Sequence, residues 1–97
     1  LPARLMKALE EVAEKYDRKG LILFIFGSFA RSKQRKTSDL DIGVLWKSVR
    51  NPKMFTELYQ DIQQLPTIRK IDLVDMHQVD KDFRKKAVEE GVMLFNK

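Results

Sequence analysis

Apolar residues recur along this chain in two rhythms, and the alternation between them predicts the order of its elements. From Pro2 to about Lys19, Leu5, Leu9, Val12 and Tyr16 return at steps of four, three and four. Lys7, Glu10, Glu11, Glu14 and Lys15 fill the rest of the wheel, the pattern of an amphipathic helix with one buried stripe. Gly20 stops it, and Lys15, Arg18 and Lys19 sit where the helix dipole favours cations. The rhythm then becomes continuous. Leu21 to Phe26 is an unbroken apolar run between Gly20 and Gly27, which predicts a strand buried on both faces. Leu40 to Trp46 is a second such run and Ile68 to Asp75 a third, the latter interrupted by Arg69, Lys70, Asp72 and Asp75.

Helical spacing returns between the second and third runs. Asn51 suits an N-cap, Pro52 the first turn, and Met54, Phe55, Leu58, Ile62 and Leu65 form the stripe, with Pro66 closing it. A last helix is expected from Asp80 to Gly91, with Phe83, Ala87 and Val88 turned inward. Val92 to Phe95 would be a short final strand or a docked tail. The order is helix, strand, short turn of helix, strand, helix, strand, helix, tail. It predicts an α/β (α+β) layer structure, a small mixed sheet covered by helices. No repeat, linker or low-complexity segment interrupts it, and residues 1–97 are expected to form a single domain, since 97 residues support one core and not two.

Composition narrows the class. The chain is 43% hydrophobic and 34% charged, as globular rather than disordered chains are. No apolar run approaches the roughly 20 residues of a membrane-spanning helix, and the first residues carry no signal-peptide pattern. There is no cysteine, which excludes disulfides and thiolate metal sites and makes a cytoplasmic protein the default expectation. The net charge of +5 favours anionic partners, such as nucleotide phosphates, nucleic acid or an acidic protein, without choosing among them.

The chemistry concentrates in residues 27 to 42, GSFARSKQRKTSDLDI. Asp39 and Asp41 open the second strand, where residues two apart share a face with Cα atoms about 7 Å apart. Two carboxylates so placed repel unless a cation lies between them, and a divalent ion shared with substrate phosphates is one solution. A pair of solvated acids neutralised by nearby Lys or Arg is the other. Gly27 and Ser28, directly after a buried strand, can offer backbone N–H groups and a hydroxyl to a phosphate; equally, Gly27 can make a turn and Ser28 cap a helix. A third acid would complete a two-metal arrangement for in-line displacement. Asp72 and Asp75 are the candidates and face opposite sides of their strand. Asp72 is preferred, because a mid-strand carboxylate between Ile71 and Leu73 needs a reason to be there, whereas Asp75 at the strand's end would simply be solvated. The competing account of Asp72 is an ion pair with Lys70 or Arg69. Lys33, Arg35 and Lys36 read more readily as a solvated loop than as a steering patch, and His77, the lone histidine, as incidental.

Gly27-Ser28, ten intervening residues, Asp39-Leu-Asp41 and the apolar strand after it resemble the signature of polymerase-β-like nucleotidyltransferases. With Asp72 in Ile71-Asp-Leu-Val74 and so short a chain, the resemblance is to the minimal nucleotidyltransferases of bacteria and archaea, and it extends to the closing Glu90-Gly-Val-Met-Leu-Phe95. It implies a palm-like nucleotidyltransferase fold. It implies that Asp39, Asp41 and Asp72 are catalytic and hold Mg²⁺, two ions in the fullest form, with Asp72 activating the attacking hydroxyl. Gly27, Ser28 and Arg31 would bind the nucleotide, although Ser32 stands where many members carry glycine, so the turn after Arg31 can differ. The implied reaction moves AMP from ATP to a hydroxyl of a partner protein, a HEPN-domain ribonuclease toxin for which this chain is the antitoxin. Nucleic acid and membrane are not expected as acceptor or partner. Two alternatives stand beside it: an antitoxin that masks its partner without catalysis, and an enzyme that modifies a small molecule such as an antibiotic.

Overall fold

The computed structural model describes residues 1–27, 30 and 39–95. The short helical turn expected between the first two strands, together with Ser28, Arg31, Lys33, Arg35 and Lys36, lies outside the described residues. The elements are α1 (Ala3–Asp17), β1 (Leu21–Phe26), β2 (Leu40–Trp46), α2 (Pro52–Gln63), β3 (Ile71–Asp75), α3 (Lys81–Glu90) and β4 (Val92–Met93). The strands form one sheet in the order β3-β2-β1-β4. β1 pairs antiparallel with β2 and with β4, while β2 and β3 run parallel. This is the small mixed sheet with helical cover that the pattern predicted. No helix among the described residues is long and apolar enough to cross a membrane.

Alternation along the strands assigns the two faces. Leu21, Leu23 and Ile25 of β1 and Leu40, Ile42 and Val44 of β2 pack with Leu5, Leu9, Ala13 and Tyr16 of α1 and Leu58 and Ile62 of α2. Phe24, Phe26 and Met76 form a smaller cluster on the opposite face, closed by Ala87 of α3. β1 and β2 are buried on both faces, which explains why their sequences show no polar alternation. Gly43 permits the tight packing of the second cluster: a Cβ there would stand 2.6 Å from Phe24 Cε1 and 2.9 Å from Met76 Cε.

Local chemistry sets the element ends. Asn51 Oδ1 accepts from the N–H groups of Lys53 and Met54, and Asp80 likewise caps α3 through Asp82 and Phe83. Tyr16 ties α1 to α2. Its ring is fully buried, and its hydroxyl donates to Asp61 Oδ2 at 2.7 Å, beside Lys15 Nζ at 2.8 Å. Burial, with the neighbouring Asp61 carboxylate, pushes the Tyr16 pKa well above its ordinary value. The tail resolves into both expected forms, since Val92–Met93 pairs with β1 while Leu94 is buried in the larger cluster.

Three expectations are corrected. The third strand begins at Ile71, not Ile68. Thr67 Oγ1 accepts the Arg69 N–H at 3.0 Å, holding the segment in a turn, and Ile68 projects fully into solvent. Val88 faces outward and Phe83 is half exposed, so the inward side of α3 narrows to Ala87 with Phe83 at its margin. Asp75 is not a solvated strand end: it is 7% exposed. It accepts from Arg50 Nε at 2.6 Å, Trp46 Nε1 at 3.0 Å and the His77 N–H at 2.9 Å.

Candidate active site

Register brings the candidate acids together from distant parts of the sequence. Asp41 is the partner of Phe26 in the antiparallel β1–β2 pairing and of Asp72 in the parallel β2–β3 pairing. Cross-strand partners project to the same side of a sheet. Asp41 and Asp72 therefore leave the face that carries Phe24, Gly43 and α3. Both are half-buried, whereas Asp39 precedes the first residue of β2 and is exposed. Lys70 Nζ lies 3.7 Å from Asp72 Oδ1, so the ion pair considered as an alternative for Asp72 is present. It joins an exposed lysine to a partly exposed carboxylate and is correspondingly weak.

Gly27 follows β1 directly and turns the chain with φ of +74°, a conformation that glycine adopts without strain. A Cβ at this position would overlap Asp41 Oδ2 and stand 3.4 Å from Asp41 Cγ. The backbone thus passes against the carboxylate with no room for a side chain. Of the residues the sequence singled out, Gly27, Asp39, Asp41 and Asp72 are described, and Ser28 and Arg31 are not.

A cleft of about 1100 Å³ opens over this corner. Phe26, Gly27, Asp41 and Asp72 lie at its base, with Phe83, Lys86 and Glu90 of α3 along one side and Tyr59, Gln63 and Ile68 along the other. Phe83 is held edge-on to Phe26, ring centres 6.0 Å apart and planes at 89°. These wall residues were not legible as a group: their helical spacing reads only as core and solvent faces until the sheet places both helices beside one strand.

The oxygen-only donor set of Asp41 and Asp72 suits a hard cation such as Mg²⁺. Among the described residues no three acids or imidazoles are gathered closely enough to hold an ion by themselves. Asp39, Asp41 and Asp72, the set that the resemblance implies, therefore do not form such a group here: strand pairing joins Asp41 to Asp72, and Asp39 stands outside β2.

The sequence pattern of the family described as polymerase beta nucleotidyltransferase matches residues 7–97. The chain belongs to that nucleotidyltransferase family. A relative in Methanocaldococcus jannaschii, provisionally named a protein adenylyltransferase, is 34% identical over 89 residues, spanning 92% of this chain and 88% of the relative. A solved structure provisionally described as a minimal nucleotidyltransferase superposes with a TM-score of 0.74 at 26% identity, covering 91% of this chain and 90% of that one. The antitoxin complexed with a tri-AMPylated HEPN toxin of Shewanella oneidensis shares the fold, with a TM-score of 0.59 at 23% identity over 95% of this chain and 73% of that one. The nucleotidyltransferase's carboxylates and its Gly27 turn are thus placed on the sheet by the strand pairing of a fold shared with enzymes of the same class.

Proposed function

We propose that this nucleotidyltransferase transfers AMP from ATP to a hydroxyl of a partner protein, and that Asp41 and Asp72 would hold Mg²⁺ together with the substrate phosphates, Asp39 being drawn to the ion only on binding. The observation that carries the reading is the register pairing of Asp41 with Asp72 beside the Gly27 turn. The acceptor hydroxyl oxygen forms a bond to the α-phosphorus, the bond from that phosphorus to the bridging oxygen breaks, and pyrophosphate leaves. Asp72, on the edge strand β3, receives the hydroxyl proton. Gly27 lets the main chain approach the phosphates, and Ser28 and Arg31 bind them. When bound, the metal neutralises charge developing on the phosphate oxygens. The remaining contribution is positioning.

The names of the relatives support a protein as acceptor. The HEPN toxin complex supports a toxin of that class as the partner and an antitoxin role for this chain. The test is incubation with radiolabelled ATP, Mg²⁺ and a purified HEPN-domain protein encoded alongside this chain. Label should move to the partner only with metal present. No transfer, together with no metal-dependent nucleotide binding, overturns the assignment. Asp41→Asn separates catalysis from masking: if that variant protects cells from the partner as well as the unaltered chain does, neutralisation is by binding alone.

A further inference from the structure

The cleft over the candidate site is not a simple hollow in one face of the sheet. Four consecutive residues of β3, Ile71, Asp72, Leu73 and Val74, all line it. Consecutive strand residues point to opposite faces, so a cleft that touches all four must run along the strand's edge. β3 is the outermost strand on that side of the sheet. Tyr59 and Ile68, both exposed, stand on the side toward which Ile71 and Leu73 project, and Phe83 and Lys86 on the side of Asp72.

The hydrogen-bond phase along this edge is set by two bonds. The Leu40 N–H bonds the Lys70 carbonyl at 2.9 Å, and the Met76 N–H bonds the Val44 carbonyl at 3.0 Å. With Leu40 opposite Ile71 and Val44 opposite Asp75, the parallel ladder turns the main-chain groups of Lys70, Asp72, Val74 and Met76 toward β2. Those of Ile71 and Leu73 point outward, into the cleft.

We infer that this slot receives the acceptor polypeptide as an added fifth strand, antiparallel to β3, with its hydroxyl-bearing residue opposite Asp72. The inference rests on the protein-adenylylation reading and specifies how the acceptor is held. Main-chain bonds to Ile71 and Leu73 supply sequence-tolerant affinity, as in other recognition by strand addition. Asp72 spends its own main-chain groups on β2, so the residue opposite it occupies a non-hydrogen-bonded pair. Those are the pairs with the closest side chains, Cβ atoms about 4.5–5.5 Å apart. A serine, threonine or tyrosine there delivers its hydroxyl to the carboxylate that takes its proton. The residues on either side of it turn to the other face and meet Tyr59 and Ile68. The acceptor is therefore an apolar–hydroxyl–apolar segment. Arg69, Lys70 and Lys86 line the slot together with Asp41, Asp72 and Glu90, so the main-chain bonds and the central hydroxyl, not a net charge, select the segment.

Residue-resolved amide exchange tests this without nucleotide or metal. The probe is a short capped peptide with valine–tyrosine–valine at its centre and uncharged polar residues outside, titrated to millimolar concentration. Exchange at Ile71 and Leu73 should slow about tenfold or more, while Asp72 and Val74, already bonded to β2, stay unchanged. The same peptide N-methylated at both valines should have no effect. Absence of protection at Ile71 and Leu73 overturns the proposal, as does equal protection by the N-methylated peptide. Protection that appears without peptide and grows with protein concentration also overturns it, since a second copy of the chain would then own the edge. Label transfer to a partner is measured separately, so a negative result here with transfer intact removes the slot and leaves the enzymatic reading standing.

Discussion

Gly27 and Asp41 are packed so closely that a single methyl group on the glycine Cα would overlap the carboxylate oxygen. The contact has two consequences for Gly27→Ala. A left-handed alanine costs about 1–2 kcal/mol, which should appear as a modest fall in melting temperature with the fold retained. The larger effect is on the site, because Asp41 has to move aside. A displacement near 1 Å in a positioned group costs about a hundredfold in rate. Nucleotidyl transfer by the variant should fall by at least that factor while circular dichroism stays native. Unaltered activity would mean that the carboxylate is not held where the chemistry needs it.

Asp72→Asn separates chemistry from folding. The Asp72 carboxylate is partly exposed, and its 3.7 Å pairing with exposed Lys70 contributes little to stability. Urea unfolding of the variant should match the unaltered chain within about 0.5 kcal/mol. If Asp72 accepts the hydroxyl proton, transfer should drop roughly a thousandfold. A chelator added to the unaltered chain should abolish transfer with equally little effect on the unfolding midpoint. A variant that unfolds early but transfers AMP normally would reverse the assignment.

Much of this was legible in the sequence where a single physical cause dominates. The doubly buried runs at Leu21 and Leu40 and the Asn51-Pro52 cap each follow from one local rule; the two runs are strands with those bounds, and the cap opens α2. Asp75 was misread because burial of a carboxylate depends on partners that sequence distance hides. Trp46 and Arg50 lie 29 and 25 residues away and reach Asp75 only once β2 and β3 are parallel neighbours. The start of β3 was set too early for a similar reason: Ile68 is apolar, but the Thr67 hydroxyl takes the N–H of Arg69 and leaves Ile68 projecting from a turn. The cleft was hidden altogether, since its walls come from two helices that share no motif.

Gly43 tests the fit of the face beneath the site. Its missing side chain lets Phe24 and Met76 meet across β2. Both are essentially fully buried, so neither can swing into solvent to admit another methyl group. Gly43→Ala should cost about 1–3 kcal/mol, the usual range for overpacking, measured as a lower urea midpoint. Phe24→Leu in the same chain should recover part of that loss by vacating the overlapped volume. If the two substitutions destabilise additively, the contact is not the cause.

Asp75 gives the fold a defined acid sensitivity. Burial alone would raise its pKa, but hydrogen bonds from Arg50, the His77 N–H and Trp46, with the charge of Arg50, outweigh it and hold the carboxyl below its ordinary range. A depressed folded-state value means that the unfolded chain binds the proton more readily. The stabilisation is thus complete above the unfolded value of about 3.9 and is lost as pH falls through the lower, folded one. Asp75→Asn removes the charge and weakens the three contacts, which should cost about 2–3 kcal/mol near neutral pH. Urea unfolding free energies measured from neutrality down to strong acid should therefore converge below about pH 4, where the unaltered chain loses what the variant never had. A gap that stays constant across that range would mean the asparagine costs stability through packing, with no contribution from the ion pair to Arg50.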